Sequence, residues 1–492
     1  MSLTKAWGRF PACPIFLLAA LALFTSACTV GPKYQQPAAP VPTAFKEAPP
    51  EGWKEAQPAD GVIRGKWWEV YNDAALNALE EQVAISNQNV LAAEANYRVA
   101  KAAVRVARSA LFPGVTAAPA ITASQTSTRA STAHFAPSGV NTNYLLPLDA
   151  SWQVDLWGSI HRTVAANTAL AQATEADLEN ARLLYQSELA MDYFQLHGTD
   201  GQRDLLDQTV KSYRDYLNLT RYRFEGGIAT ESDVAQAEAQ LYGAESSLTD
   251  LGVQRTQLEH AVAVLIGKPP AEIKVEPASL SLPPPAIPLA VPSALLERRP
   301  DIASAERRVA AANEQIGIAK AAFFPTLTLG LTAGVQSASF INWLTWPSRF
   351  WSAGPQLAQV LFDAGRRRGE VQSAQAQYDA IAANYRQTVL TAFQQVEDNL
   401  AALRILQEES AQLDRATTAA ERSLKVSTAQ YTAGTATYLQ VIDAQATVLQ
   451  DRRSAIDVLT RRMTASVLLI EALGGGWDNS KLPSATDVRS SP

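Results

Sequence analysis

Two periodicities alternate along this chain, and each occurs twice. In a proline-free stretch from 364 to 432, apolar residues recur at 371, 374, 378, 381, 385, 389, 392, 396, 400 and 403, a mean spacing of about 3.6. That spacing lays one apolar stripe along one helix. The stretch 159–225 is equally free of proline. At about 1.5 Å per residue, some 67 helical residues make a rod of roughly 100 Å, longer than a compact domain. The stripe is rich in Ala and interleaved with Gln, Asn, Ser and Thr. It predicts several helices packed closely around water, since a two-stranded coiled coil uses larger residues at its seam. An intermolecular coiled-coil stalk is the other arrangement the stripe allows.

The second periodicity is two. In "PTLTLGLTAGVQ" (325–336), Leu327, Leu329, Leu331, Ala333 and Val335 alternate with Thr326, Thr328, Gly330, Thr332 and Gly334. In "LLPLDASWQVDLWG" (145–158), Leu146, Leu148, Ala150, Trp152, Val154 and Leu156 oppose Asp149, Ser151, Gln153 and Asp155. Such alternation predicts strands with one apolar and one polar face. Their length of about 10 to 12 residues suffices to cross a bilayer at a tilt, and Trp343, Trp346, Phe350 and Trp351 suit an interfacial girdle. A soluble two-sided sheet packed on the helices satisfies the same alternation.

The elements repeat as a set. "FEGGIATESDVAQAE" (224–238) is echoed by "YTAGTATYLQVIDAQ" (431–445), "SALFPGVTAAPAIT" (109–122) by "AAFFPTLTLGLTAG" (321–334), "VDLWGSIHR" (154–162) by "QVLFDAGRR" (359–367), and "AVLIGK" (263–268) by "IEALGG" (470–475). A unit of about 205 residues is therefore duplicated. Each copy reads as a first helix (73–110; 292–323), a strand region, a very long helix, a Gly turn and a return helix. The resulting division is 1–27, a signal segment; 28–66, an N-terminal tether, Pro- and Ala-rich from Gly31 to Pro58; 67–267, the first repeat; 268–292, a Pro-rich linker; 293–475, the second repeat; and 476–492, a tail.

The N-terminus "MSLTKAWGRFPACPIFLLAALALFTSAC" has Lys5 and Arg9 before a short apolar run and small residues before Cys28, the layout of an export signal. Its removal takes the formal charge from −6 to −8. Ser26-Ala27-Cys28 is similar to the bacterial lipobox, whose Cys is lipidated, although Thr25 stands where Leu is usual; an ordinary signal with a free Cys is the alternative. Thr29 follows the Cys in place of the Asp that resemblance to inner-membrane-retained lipoproteins would require, so the resemblance implies export onward to the outer membrane. One acyl group anchors weakly and needs a second contact.

With 42 basic against 48 acidic residues there is no basic surface for nucleic acid. Two Cys and four scattered His give no metal site, and Gly474 to Gly476 follow a helix without the Lys-Ser/Thr of a phosphate loop. No cofactor is expected beyond a covalent lipid on Cys28, and no catalysis.

Two strands per repeat make four per chain, too few to close a barrel, and an open edge cannot face hydrocarbon. Three chains would supply twelve strands and a continuous helical cylinder beneath them. The expected fold is thus mainly α with membrane β: a long α-helical barrel plus a transmembrane β-barrel completed by trimerisation, both water-filled.

"CTVGPKYQQP" (28–37), "LLERRPDIASAE" (295–306), "FFP" (323–325), "LFDAGRRR" (361–368) and "YTAGTATYLQVIDAQ" in this order resemble the TolC-like outer membrane efflux proteins, in the lipoprotein branch serving resistance-nodulation-division pumps. The resemblance implies a homotrimer in the outer membrane reaching across the periplasm. It would meet a periplasmic adaptor and an inner-membrane pump and act as a passive, gated exit duct for small molecules such as drugs. It implies adaptor-docking tips at Gly226, Gly227, Thr230, Gly434, Thr435 and Thr437, and a gate at Leu439, Asp443 and Tyr431. Thr230 with Asp233 and Thr437 with Gln440 have the spacing of capping boxes. Relatives with a second acid and an Arg near this turn differ from this chain, which has Gln440 and Ala436, so a salt-bridge lock at those places is not expected. The rival functions are a duct for ABC-driven protein secretion and a periplasmic coiled-coil lipoprotein without a pore.

Overall fold

The computed structural model describes residues 29–50, 65–125, 127, 140–281, 283–287 and 292–490. The signal segment and Cys28 lie outside the described residues.

The first helix of each repeat is broken where one continuous helix was expected. In the first repeat α1 (Ala74–Ser86) ends at Asn87, whose side chain accepts from Asn89 N–H and Val90 N–H to start α2 (Gln88–Ser109). Asn at an N-cap stabilises a new start more than continuation. In the second repeat a short turn, Leu295–Arg298, precedes α5 (Pro300–Ala321). Pro300 forces Arg299 into extended backbone, φ −105° and ψ 124°.

The long helices form as the stripe dictates. α3 spans Ser159–Glu225 and α6 spans Arg366–Thr432, 67 residues each, and they return through α4 (Glu231–Leu265) and α7 (Tyr438–Ala472). In α6 the predicted stripe is buried from Tyr385 through Val389, Ala392, Val396 and Leu400 to Leu403, while its first positions are only half-buried. The largest core lies across the middle of the bundle, where Leu76, Leu189, Phe194, Ile266, Ile302, Val396 and Ile470 meet. A short helix, α8 (Ala485–Ser490), closes against α2 and α3 through Val488.

Five strand segments make one antiparallel sheet: β1 (Gly114–Ala117), β2 (Ala120–Ser124), β3 (Asn141–Val154), β4 (Thr326–Ser337) and β5 (Arg349–Ala358). β1 and β2 both pair with β3 along the edge opposite β4, separated by Ala118 and Pro119. Pro lacks the donor a continuous ladder needs and is tolerated at an edge. Among the described residues the sheet thus has four strand positions and two open edges, β1/β2 and β5.

Register sorts the alternation as predicted. Leu146 faces Val335, Leu148 faces Ala333, Ala150 faces Leu331, and Trp152 faces Leu329. β5 adds Leu357 and Trp351 to this apolar face, and β1/β2 add Val115 and Ile121. On the other face Thr332 Oγ1 donates to Asp149 at 2.6 Å and Gln336 Nε2 to Asn143 at 3.1 Å. Val115, Ile121, Leu148, Leu331, Trp351 and Leu357 are all exposed. A contiguous apolar face of this size requires a partner surface. Among the described residues no helix is long and apolar enough to cross a membrane. Trp343 and Phe340 gather on Tyr144, and Arg349 lies over Trp346, beyond the end of the apolar face. Phe350, expected in the same girdle, pairs with Gly334 and so belongs to the polar face, because strand side chains alternate.

The N-terminal segment is extended, as expected, but it is not free. Val30 N–H donates to Trp157 O at 3.2 Å, Tyr34 bonds Glu306, and Gln36 Nε2 donates to Tyr385 at 3.2 Å. Lys46 N–H and Glu47 N–H donate to Glu397 at 2.7 and 2.9 Å, and Arg404 pairs with Glu47. Residues 29–50 are a strap along the bundle. The inter-repeat linker is docked too: Arg255 bridges Asp200 at 2.7 Å and Val275 O at 2.7 Å, and Ala278 N–H reaches Asp200 at 3.2 Å. Burial works to raise the Asp200 carboxyl, but bonds from His197, Arg255 and Ala278 hold it below the usual range.

Candidate functional site at the paired helix tips

Each long helix leaves the sheet and turns back at its far end, so the two Gly turns occupy one end of the bundle. Both are Schellman terminations. In the first, Gly227 has φ 74°, its N–H donates to Phe224 O at 2.9 Å, and Ile228 N–H donates to Arg223 O at 2.8 Å. In the second, Gly434 has φ 77°, its N–H donates to Tyr431 O at 3.0 Å, and Thr435 N–H donates to Gln430 O at 2.9 Å. Only Gly adopts this backbone without strain. Gly226, next to the first turn, is right-handed with φ −78°.

The return helices start differently. Thr230 Oγ1 accepts from Asp233 N–H at 3.2 Å while Asp233 accepts from Thr230 N–H at 2.8 Å, a complete capping box. Thr437 makes no side-chain cap bond, against the expectation for Thr437 and Gln440. The next residue accounts for it: Tyr438 is buried against Tyr431, ring centroids 5.3 Å apart, so packing fixes this start. The neutral Gln440 amide also lacks the charge with which Asp233 reinforces its own box.

A local core ties the hairpins together. Val210, Tyr213, Leu217, Leu241, Tyr431, Tyr438 and Val441 form it. Arg223, in the last turn of α3, crosses to the other hairpin, donating Nη1 to Tyr431 O at 2.9 Å with its guanidinium 4.4 Å from the Tyr431 ring centre. Tyr216 and Thr428 hydroxyls meet at 3.1 Å. Burial and the nearby tyrosines raise the Tyr438 hydroxyl well above its ordinary value, so it stays neutral. Arg221 with Glu238 and Arg452 with Glu421 splint the two hairpins at 2.6 and 2.5 Å; being exposed, each adds at most about 1 kcal/mol.

The structure separates the three residues expected at the gate. Leu439 and Asp443 are exposed on one face of α7, and among the described residues no ion pair involves Asp443. Asp443 stands beside the buried stripe of Tyr438, Val441, Ala444 and Val448 and not within it. Tyr431 is buried between the hairpins, 4% exposed. Gln236, the first-repeat counterpart of Asp443, is exposed and uncharged, so one tip alone carries the acid. Sequence reasoning missed Arg223 and Tyr438. Each left a signal: a cation in the last turn, which opposes the helix dipole, and an aromatic ring directly after a capping position. Among the described residues no group of three or more His, Cys, Asp or Glu is placed to hold a metal ion.

The sequence profile of the outer membrane efflux protein family matches residues 79–268 and 291–475. The chain is 31% identical over 474 residues to outer membrane protein OprJ of Pseudomonas aeruginosa, covering 95% of this chain and 97% of that one. It is 29% identical over 464 residues to the antibiotic efflux pump outer membrane protein ArpC of Pseudomonas putida, covering 94% and 95%. Among solved structures, the outer-membrane channel OprN superposes with a TM-score of 0.84 at 30% identity, covering 92% of this chain and 100% of that one. The CmeC outer membrane channel of Campylobacter jejuni shares the fold, with a TM-score of 0.87 at 22% identity over 93% and 97%.

Proposed function

The chain belongs to the outer membrane efflux protein family, and from that premise we propose that it is the outer membrane exit duct of a tripartite efflux system, working as a homotrimer. The observation that carries this reading is the sheet: four strand positions with an exposed apolar face, a polar face and two unpaired edges, joined to helices of 67 residues. Hydrocarbon tolerates no open edge, so β5 of one chain pairs with β1/β2 of the next. Three chains give twelve strands and a polar lumen.

Its action is passive: transport is driven by an inner-membrane pump reached through a periplasmic adaptor. The two Schellman turns, with Gly226, Gly227, Thr230, Gly434, Thr435 and Thr437, form the adaptor surface; rigid backbone and exposed position support that role. Leu439 and Asp443 line the mouth, where threefold symmetry gathers three carboxylates that favour cations and resist anions. Tyr431 acts behind them, holding the two hairpins in the closed arrangement. Cys28 carries the lipid; Thr29 supports this, since it lies against Gly158 where sheet passes into helix, the level of the membrane surface. Antibiotic efflux in ArpC's name suggests small organic molecules as cargo.

Purification in detergent with native mass measurement should show a trimer carrying adaptor, and the trimer should conduct ions in a planar bilayer. A monomer without conductance would refute the proposal.

A further inference from the structure

The half of the sheet away from the helices is poor in charge, and what it holds is cationic. Between Arg108 and Asp149 the only Lys, Arg, Asp or Glu is Arg129, and between Lys320 and Asp363 it is Arg349. Those two stretches supply β1, β2, β4, β5 and the first half of β3, so within them no carboxylate offsets Arg349, on a chain whose formal charge is −6. Arg349 opens β5 opposite Val335, which in turn is opposite Leu146, so its side chain stands on the apolar face. It is exposed, and among the described residues it makes no ion pair and no side-chain hydrogen bond. Its guanidinium lies on the face of Trp346, 3.0 Å from the ring centre. Stacking of this kind fixes the plane of the group and leaves its N–H edge free.

The loop between β4 and β5 stands on the same side. Phe340 and Trp343 lie 5.6 and 5.7 Å from the ring of Tyr144. Tyr144 shares its face with Leu146 and Leu148, so the loop leans over the apolar face and not over the polar one. Its own bonds hold it in shape: Asn342 O accepts from Thr345 N–H at 3.2 Å and from the Thr345 and Ser348 hydroxyls, each at 2.7 Å. Yet Ile341 is 88% exposed, Leu344 73% and Trp346 74%. Their height is set by the strands. Leu327 to Val335 is eight residues of β4, about 27 Å at 3.4 Å per residue and about 21 Å along the membrane normal at a tilt of about 40°, close to an apolar band about 25 Å tall. One unpaired cation and three apolar side chains therefore stand where hydrocarbon gives way to headgroups.

We propose that Arg349 and the β4–β5 loop bind the phosphate of an outer-leaflet lipid, the guanidinium taking the phosphate oxygens while Ile341, Leu344 and Trp346 lie against the acyl chains. The occupant is anionic because a guanidinium with a free N–H edge matches paired phosphate oxygens and no carboxylate of the two stretches competes for it. It is a lipid because a free, hydrated phosphate would leave the apolar side chains of the loop in water. Pairing at the sheet edges leaves the faces free, so a trimer presents three such sites. The site rests on the membrane-spanning sheet proposed above and adds which lipid chemistry that sheet selects.

Native mass measurement of the full chain in detergent tests it, with titration by a diphosphorylated, multiply acylated disaccharide lipid or by the same lipid stripped of its phosphates. The parent is expected to bind the phosphorylated form severalfold more tightly. Arg349→Ala is expected to weaken that form about fivefold, the equivalent of about 1 kcal/mol for one Arg at a membrane surface, and to leave the dephosphorylated form unchanged. Arg349→Lys, which keeps the charge without the fork, is expected between the two. Ile341→Ser/Leu344→Ser is expected to weaken both forms alike, and trimer fraction and conductance should hold in every variant. Displacement of the lipid by excess inorganic phosphate would make the site one for free phosphate and overturn the lipid. A conducting parent trimer without preference between the two forms, or an Arg349→Ala trimer that keeps the parent's preference, overturns this site and leaves the duct reading standing. A parent chain that is monomeric and does not conduct overturns both.

Discussion

Arg223→Ala separates the tip packing from the charge at the mouth. The guanidinium gives one charged hydrogen bond to Tyr431 O at 2.9 Å and lies over the Tyr431 ring at 4.4 Å. A hydrogen bond with a charged partner contributes about 1.5 to 3 kcal/mol, and a cation–π contact at a partly exposed site about 0.5 to 1 kcal/mol. Arg223 is half-buried, which favours the lower ends and a total of about 2 kcal/mol. Both contacts run between hairpins, so they are lost when the tips move apart, and the variant favours the dilated arrangement by about 30-fold at 1.36 kcal/mol per tenfold. Single-channel recording in a planar bilayer is the assay. Arg223→Ala is expected to raise resting conductance severalfold, with Arg223→Lys between it and the parent. Equal conductance in all three, with circular dichroism showing intact helices, would refute the reasoning.

Asp443→Ala should also raise conductance and weaken cation selectivity, read as a shift in reversal potential under a salt gradient; unchanged values would remove Asp443 from the mouth. Thr230→Ala should cost about 1 kcal/mol of local stability and speed hydrogen exchange in the first turn of α4, while Thr437→Ala, which loses no cap bond, should leave α7 unchanged. Burial, reinforced by Glu179, pushes the Glu175 carboxyl up to about 7. The folded chain then binds a proton that the unfolded chain releases near the ordinary value. Its contribution is therefore full at low pH and lost as pH rises from about 4.5 to about 7. Glu175→Gln should flatten the fall in Tm across that window, and parallel Tm curves for variant and parent would contradict it.

The sequence determined more than is usual. Absence of proline and a spacing near 3.6 set the long helices almost to the residue, since no residue within either one lacks the N–H donor its ladder needs. Strict alternation fixed which strand residues share a face, because a shift by one position would expose the wrong set. Duplication announced that each long helix and its return helix has a twin. The decisions that depend on contact between distant segments belonged to the tertiary structure. Asn87 starts a new helix while its Nδ2 donates to Leu265 O at 2.8 Å, a partner in another helix; the break at Pro300, a pre-proline clash, was by contrast local and legible. Tyr438 displaced the capping box at Thr437 because burying a ring against Tyr431 from the neighbouring helix outweighs one hydroxyl bond. Arg223 became the link between hairpins 208 positions apart in sequence. The twins themselves diverge for the same reason: Leu183 and Leu390 come from one pattern, and only the fold buries one and leaves the other open.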